Sequence, residues 1–170
     1  MDPVFADISA FEEPKLEFVF EVELQFTRVH NLPDLPSGGG RGAVYVDSGT
    51  VRGPRLNGTV IPDSGGDWAA FRPDGVLATD ARYMLQADDG TLILLRNQGF
   101  LWGRKADTMQ KIRAWIFDGG SEVPEADYYL RAHPTFEVSE GPHDWLMRHV
   151  IVGIGRRRAA GNCIRYYALL

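Results

Sequence analysis

The stretch VLATDARYMLQADDGTLILLRN, residues 76–97, decides the fold of this chain. It contains two strand-like runs, Val76 to Ala87 and Thr91 to Asn97. Between them lies Asp88-Asp89-Gly90, which is typical of a tight hairpin turn. The stretch therefore predicts two antiparallel strands that pair with each other.

The chain on either side continues the same architecture. From Leu16 to Phe26, apolar residues alternate with Glu and Gln, and this period of two predicts a strand with one buried and one exposed face. Further strands are expected at residues 43–46, 56–61, 68–72, 128–136, 145–154 and 163–169. Their hairpin spacing favours a mainly β sandwich or barrel.

One segment has a helical period instead. Within residues 106–118, Met109, Ile112 and Ile116 recur at intervals of three and four, and Gly119-Gly120 follows as a stop signal. We expect one short helix there, covering an end of the barrel.

Length and charge limit the classes of function. At 170 residues the chain is expected to form one domain, residues 14–170, preceded by an arm, residues 1–13. Its formal net charge of −5 disfavours a nucleic-acid partner. The one dense basic run, Arg156-Arg157-Arg158, is interpreted as a solvated turn between two strands rather than an anion site.

The sequence also favours a cytoplasmic protein. A single cysteine, Cys163, allows no intrachain disulfide and fits a reducing compartment. The N-terminus lacks the pattern of a secretory signal, and no apolar run approaches the roughly 20 residues that span a bilayer, so no membrane partner is expected. The apolar side chains of the arm, around Val4 and Phe11, are compatible with burial in a homodimer.

Two strands carry candidate catalytic groups. Asp80 and Arg82 share one face of their strand; if that face points into a barrel, Arg82 could bind a carboxylate or phenolate. The alternative is a structural ion pair. Tyr129, Arg131 and His133 share a face of a later strand, and together they offer acid/base groups and oxyanion binding. His133 ordinarily titrates near neutrality.

A third candidate follows two glycines. Asp67 lies after Gly65-Gly66, which permit a bend or a close backbone approach, and before Trp68. A carboxyl beside an indole in a partly dry site would have a raised pKa and could act as a general base. The alternative is an Asx-turn that stabilises the bend.

Several chemistries are not supported by any motif. The sequence has no metal-ligand spacing of His or Cys, no nucleophile elbow of a serine hydrolase and no dinucleotide fingerprint. We therefore expect an enzyme, if the protein is one, to need no cofactor and no metal.

A set of motifs resembles a known family. Gly65-Gly66-Asp67-Trp68, Asp80-Ala81-Arg82-Tyr83 and Asn97-Gln98-Gly99 are similar, in order and spacing, to the family catalogued as domain of unknown function 3237, and Tyr128-Tyr129-Leu130-Arg131 and Val152-Gly153-Ile154-Gly155 resemble its later blocks. The resemblance covers roughly Pro14 to the C-terminus. It implies a single antiparallel, lipocalin-like β-barrel with one short helix and implies no specific activity.

These observations favour a cofactor-independent enzyme acting on an apolar, oxygenated small molecule. It would use acid/base chemistry as an isomerase, cyclase or lyase, with Asp67 or His133 as the base and Arg82, Arg131 and Tyr129 around the oxyanion. The expected substrate-binding residues are Trp68, Asp80, Asn97, Phe100, Trp102 and Trp145. Two alternatives remain open: a lipocalin-like binding protein without catalysis, and an assembly protein whose barrel is filled by side chains.

Overall fold

The computed structural model describes residues 12–170. Ten strands form one antiparallel sheet that closes on itself. The strands are β1 (Leu16–Leu32), β2 (Gly40–Arg52), β3 (Gly58–Val60), β4 (Gly66–Asp67), β5 (Ala70–Phe71), β6 (Leu77–Ala87), β7 (Leu92–Gly103), β8 (Tyr128–Val138), β9 (Ile151–Arg158) and β10 (Gly161–Leu169). One α-helix, α1 (Thr108–Phe117), lies between β7 and β8.

Three short strands share one position in the barrel. Each of β3, β4 and β5 pairs with β2 on one side and β6 on the other. Together they act as one interrupted strand, so the closed antiparallel barrel has eight strand positions. Pairing of β1 with both β2 and β10 completes the closure. The predicted β-barrel with one helix is confirmed.

The predicted hairpin is present, and other boundaries differ from expectation. β6 and β7 pair from Leu77↔Leu101 to Gln86↔Leu92. β1 continues to Leu32, so the predicted alternating part, Leu16 to Phe26, is the first 11 of its 17 residues. The strand expected from residue 145 starts at Ile151, because residues 144–147 form a short 3-10 turn. The apolar part of the arm, including Val4 and Phe11, lies outside the described residues.

One half of the barrel interior is filled by side chains. Tyr83, Leu85, Ile93 and Leu95 point inward from β6 and β7 and have at most 1% exposure. Inward-facing residues of β1, β8 and β10 complete this core, including Phe20, Phe136 and Tyr166. The three aromatic rings contact one another with centroid separations of 5.0–6.4 Å.

The helix covers the opposite end. Ile112 and Trp115 of α1 pack against Leu101, Tyr128 and Leu130, at the ends of β7 and β8. The helix stops as predicted at a glycine in the left-handed region, Gly119, with φ of 69°. Beneath α1 the barrel is not filled, and this space forms the candidate site.

The alternation of β7 can be tested with two leucines that are neighbours in the sequence. Leu95 is fully buried, whereas Leu94 on the other face is 37% exposed. Leu95→Ala should lower the free energy of unfolding by about 2–5 kcal/mol, because it leaves a cavity in the packed half of the barrel. Leu94→Ala should lower it by about 0.5 kcal/mol or less. Denaturant unfolding measures both, and equal losses would contradict the assigned faces.

Candidate functional site

A cavity of about 490 Å³ opens at the end of the barrel that α1 covers. Its walls are mainly apolar, and its volume is in the range of small-molecule sites. The apolar lining comes from the strands and from the inner face of α1, and includes Val44, Leu77, Leu101, Met109, Ile112 and Leu130. Nine polar side chains also line it: Thr27, Arg28, Asn31, Asp67, Arg72, Thr79, Arg113, Arg157 and Asn162.

A smaller recess of about 30 Å³ extends the cavity toward the packed core. Asp67, Thr79 and Asn162 line both spaces, so they stand where the two meet. The recess also contacts Tyr83 and Asn97, whose hydroxyl and Oδ1 atoms are buried without a hydrogen-bond partner among the described residues. A space of this size, with polar groups around it, is large enough for one water molecule.

Asp67 is held in place by the interrupted strand. It ends β4, and its Oδ1 accepts a hydrogen bond of 2.9 Å from the backbone N–H of Asp80 on β6. The preceding glycines allow β4 to fit between its neighbours: a Cβ at Gly65 would lie 1.9 Å from the Arg82 carbonyl oxygen, and one at Gly66 would lie 2.5 Å from that of Val44. The carboxyl contact crosses between strands and does not form an Asx-turn.

Burial raises the pKa of Asp67 from 3.8 to about 6. The Asp80 N–H bond and the more distant Arg157 guanidinium oppose this shift, and the negative charge of Asp80 adds to it. The side chain is surrounded by protein yet stays partly accessible, because it faces the cavity. Near neutral pH such a carboxyl can both accept and return a proton.

Arg157 is the functional candidate that the sequence interpretation missed. The three arginines end strand β9 instead of forming the predicted turn; Arg156 and Arg158 are exposed, but Arg157 between them lines the cavity. Burial lowers the pKa of Arg157 from its ordinary value to about 10, while Tyr128 and Asp67 act in the opposite direction. The burial pattern of β9, with buried residues at Ile151, Gly153 and Gly155, places Arg157 on the inner face. The sequence carries no signal of this, because the apolar Val152 and Ile154 belong to the other alternating set.

The interior placement of Asp80 and Arg82 is wrong. Tyr83 and Leu85 occupy the inner face of β6, so the charged pair points outward, and the Arg82 side chain is 58% exposed. Asp80 accepts bonds from Nε and Nη2 of Arg96 at 2.9 and 3.0 Å. These bonds lower the pKa of Asp80. The alternative, a buried Asp80–Arg82 pair that fixes the sheet, is not found as such, because Asp80 pairs mainly with Arg96 and all three side chains are partly exposed.

The candidate catalytic residues on β8 also lie outside the cavity. Leu130, Ala132 and Pro134 take the inner positions, which turns Tyr129, Arg131 and His133 outward. The Tyr129 ring stacks on Trp102 with centroids 5.2 Å apart, and the Arg131 guanidinium lies 5.0 Å from the Tyr129 centroid. His133 is exposed. The three side chains form a surface cluster rather than a reactive site.

Of the expected substrate-binding residues, only Asn97 faces the interior, at the recess. Trp68 and Phe100 are 49% and 44% exposed on the outer surface. Trp102 stacks outside, as described above. Trp145 lies against the packed half of the barrel, with the Arg55 guanidinium 3.8 Å from its ring centroid. The apolar walls of the cavity are mainly aliphatic, with Phe26 and Phe71 as its aromatic residues.

Membrane and metal features were sought within residues 12–170. No helix in this range is long and apolar enough to cross a bilayer. In the same part of the chain, no group of three or more His, Cys, Asp or Glu side chains is placed to hold a metal ion.

The chain belongs to the family described as "Protein of unknown function (DUF3237)", which matches residues 14–169. A UPF0311 protein of Clostridium acetobutylicum is 29% identical over 163 residues, covering 96% of this chain and 99% of that protein. A UPF0311 protein of Rhodopseudomonas palustris is 28% identical over 144 residues, covering 82% and 90% respectively.

Solved structures share the barrel. A protein of unknown function from Clostridium acetobutylicum has a TM-score of 0.82 and 28% identity, over 94% of this chain and 99% of that one. A β-barrel-like protein from Acinetobacter baumannii has a TM-score of 0.78 and 27% identity, over 94% and 98%. An enzyme from Penicillium herquei has a TM-score of 0.67 and 21% identity, over 95% and 98%, a likeness of fold alone.

The raised pKa of Asp67 predicts a pH-dependent effect on stability. Folded Asp67 holds its proton up to about pH 6, whereas the unfolded carboxyl loses it near 3.8, so its contribution is lost as pH rises through this window. Asp67→Asn keeps an oxygen acceptor without the charge. At pH 7 its free energy of unfolding should therefore exceed that of the native chain by up to about 3 kcal/mol.

Denaturant unfolding at pH 4 and pH 7 measures this difference, which should disappear at the lower pH. Asp88→Asn, in the exposed β6–β7 turn, is the matched control and should change stability little at either pH. If Asp67→Asn is less stable than the native chain at pH 7, the claim that the buried Asp67 carboxylate destabilises the fold is wrong.

Proposed function

We propose that this member of the DUF3237 family is a cofactor-independent enzyme that moves protons on an apolar, oxygenated small molecule. The reaction class is isomerisation, cyclisation or elimination, and Asp67 is the general base. The observation that carries the proposal is one buried carboxyl with a pKa of about 6 in an apolar cavity of about 490 Å³.

The proposed chemistry needs only a base and a counter-charge. The Asp67 carboxylate takes a proton from carbon or oxygen of the substrate, and the released electron pair moves onto a carbonyl or phenol oxygen. The positive charge of the Arg157 guanidinium, which lines the same cavity, stabilises that oxyanion through space. The Asp67 carboxyl then returns the proton at another atom, which gives an isomer or a ring. Alternatively, the electron pair expels a leaving group.

The energetics favour catalysis over simple binding. At neutral pH, a carboxylate whose pKa has risen from 3.8 to about 6 on folding lowers the free energy of unfolding by about 3 kcal/mol. A carrier for an apolar molecule gains nothing from that charge, whereas a base needs it. The enzyme from Penicillium herquei is consistent with catalysis in a barrel of this shape. An assembly role with a filled interior is disfavoured by the cavity itself.

Hydrogen exchange tests the assignment without knowledge of the natural substrate. We expect the protein to accelerate exchange of the α-protons of bicyclic ketones (2-tetralone, 1-indanone and 4-chromanone) in D₂O, followed by mass spectrometry. Asp67→Asn should lower the acceleration by about 100-fold or more. Asp88→Asn and Arg82→Ala, both outside the cavity, should retain it. Binding of the ketones without any proton exchange would contradict the proposed catalysis and would support a binding protein instead.

The rate of exchange should depend on pH in one direction. Only the ionised carboxylate accepts a proton, so the rate should rise with pH, reach half of its maximum near pH 6 and level off above it. A rate profile of the native chain from pH 4.5 to 8 measures this. A plateau that extends below pH 5 would show that Asp67 is not the base.

A further inference from the structure

The charge of the cavity lining is opposite to that of the whole chain. The chain has 18 basic and 23 acidic side chains. The cavity lining has four arginines, Arg28, Arg72, Arg113 and Arg157, and Asp67 as its one acid. A positive cleft in an acidic protein attracts and concentrates anions selectively.

Arg157 is the innermost of these charges and is incompletely paired. Its Nη1 donates to Asn162 Oδ1 at 2.8 Å, and Nε is buried without a partner. Within residues 12–170, no carboxylate lies within ion-pair distance of its guanidinium. Arg96, on the outer surface, places both its Nε and Nη2 on the Asp80 carboxylate. Arg157 lines the cavity, so its guanidinium can offer N–H groups to a carboxylate that enters.

The other three arginines surround the opening and differ in how far they are neutralised. Arg72 bonds the Asp74 carboxylate. The Arg28 guanidinium lies 4.9 Å from the Tyr45 ring centroid. Arg113, on α1, is exposed and makes no ion pair among the described residues. The three arginines therefore leave net positive charge at the entrance. Deeper in the cavity, Arg157 is the buried guanidinium that has no carboxylate partner among the described residues.

We propose that the substrate of this cavity is an apolar carboxylate, held with its carboxylate oxygens at the Arg157 guanidinium. This inference rests on the proposed function and names its substrate class. The apolar body lies along Val44, Leu101 and Leu130, which line the space beneath α1. Repulsion from Asp67 directs the carboxylate to the Arg157 side and leaves a less polar part of the molecule near the base.

Binding of a matched pair of probes to the native chain tests the proposal. 2-Naphthoate and 2-naphthamide have nearly the same size, but only the first is charged. We expect calorimetry at pH 7 to show naphthoate binding about tenfold more tightly or better, as a hydrogen bond to a charged group provides. Equal affinities for the two probes, or a preference for the amide, would overturn the proposal.

Two variants and a control locate the effect. Arg157→Gln should remove the preference for naphthoate and leave naphthamide binding within about twofold. Arg158→Gln, at the exposed neighbour, should keep the preference. Asp67→Asn removes the repelling charge, so it should tighten naphthoate binding and leave naphthamide unchanged. If Arg157→Gln does not fold, the Asp67→Asn result alone tests where the carboxylate binds. A preference that survives in folded Arg157→Gln, or naphthoate affinity unaffected by Asp67→Asn, would overturn the assignment.

The two proposals fail in different ways. Naphthoate preference without any ketone exchange would reject the catalytic function and leave an anion-binding cavity. Ketone exchange that depends on Asp67, with no preference between the probes, would reject the carboxylate substrate and leave the base in place.

Discussion

The hydrogen bond from the Asp80 backbone N–H to Asp67 Oδ1 fixes a carboxyl inside the barrel, and the site depends on it. An interior carboxylate surrounded by apolar groups is unfavourable unless the fold holds it in place. Here the fold does so by placing the two-residue strand β4 between β2 and β6, where Gly65 and Gly66 allow backbones to approach too closely for any side chain. The interruption of the strand thus presents an acid to the cavity.

The barrel has a packed half and a half that contains the cavity. Large side chains such as Phe20, Tyr83 and Tyr166 fill the first half. Small residues occur where the packing ends: Ala81 and Ala132 line the recess and leave space beside Asp67. The helix covers the open end with apolar side chains and leaves room beneath. The filled half can therefore support a polar, less stable half without loss of the fold.

The sequence predicted the elements better than their orientation. Turn residues and alternation determine the β6–β7 hairpin, but alternation alone only divides β6 into two sets. The set with Arg82 was assigned inward because its charges suggested chemistry, although the bulky apolar Tyr83 and Leu85 belong in the core. Asp67 was found because its glycines are a local signal. Arg157 was missed because the predicted strand stopped at residue 154, three residues before its inward position.

Asp67 and Arg157 line the same cavity without forming an ion pair within 4.0 Å, and the proposed chemistry requires this separation. In direct contact, the guanidinium would lower the pKa of the carboxyl below the range useful to a base, and each charge would satisfy the other. Kept apart, the carboxyl retains a pKa of about 6, and the guanidinium keeps a buried donor without a partner. A molecule that enters the cavity meets both a carboxyl that can act as a base and a positive charge. The field that would move a proton is already present in the folded chain, and the packed half of the barrel supplies the stability to maintain it.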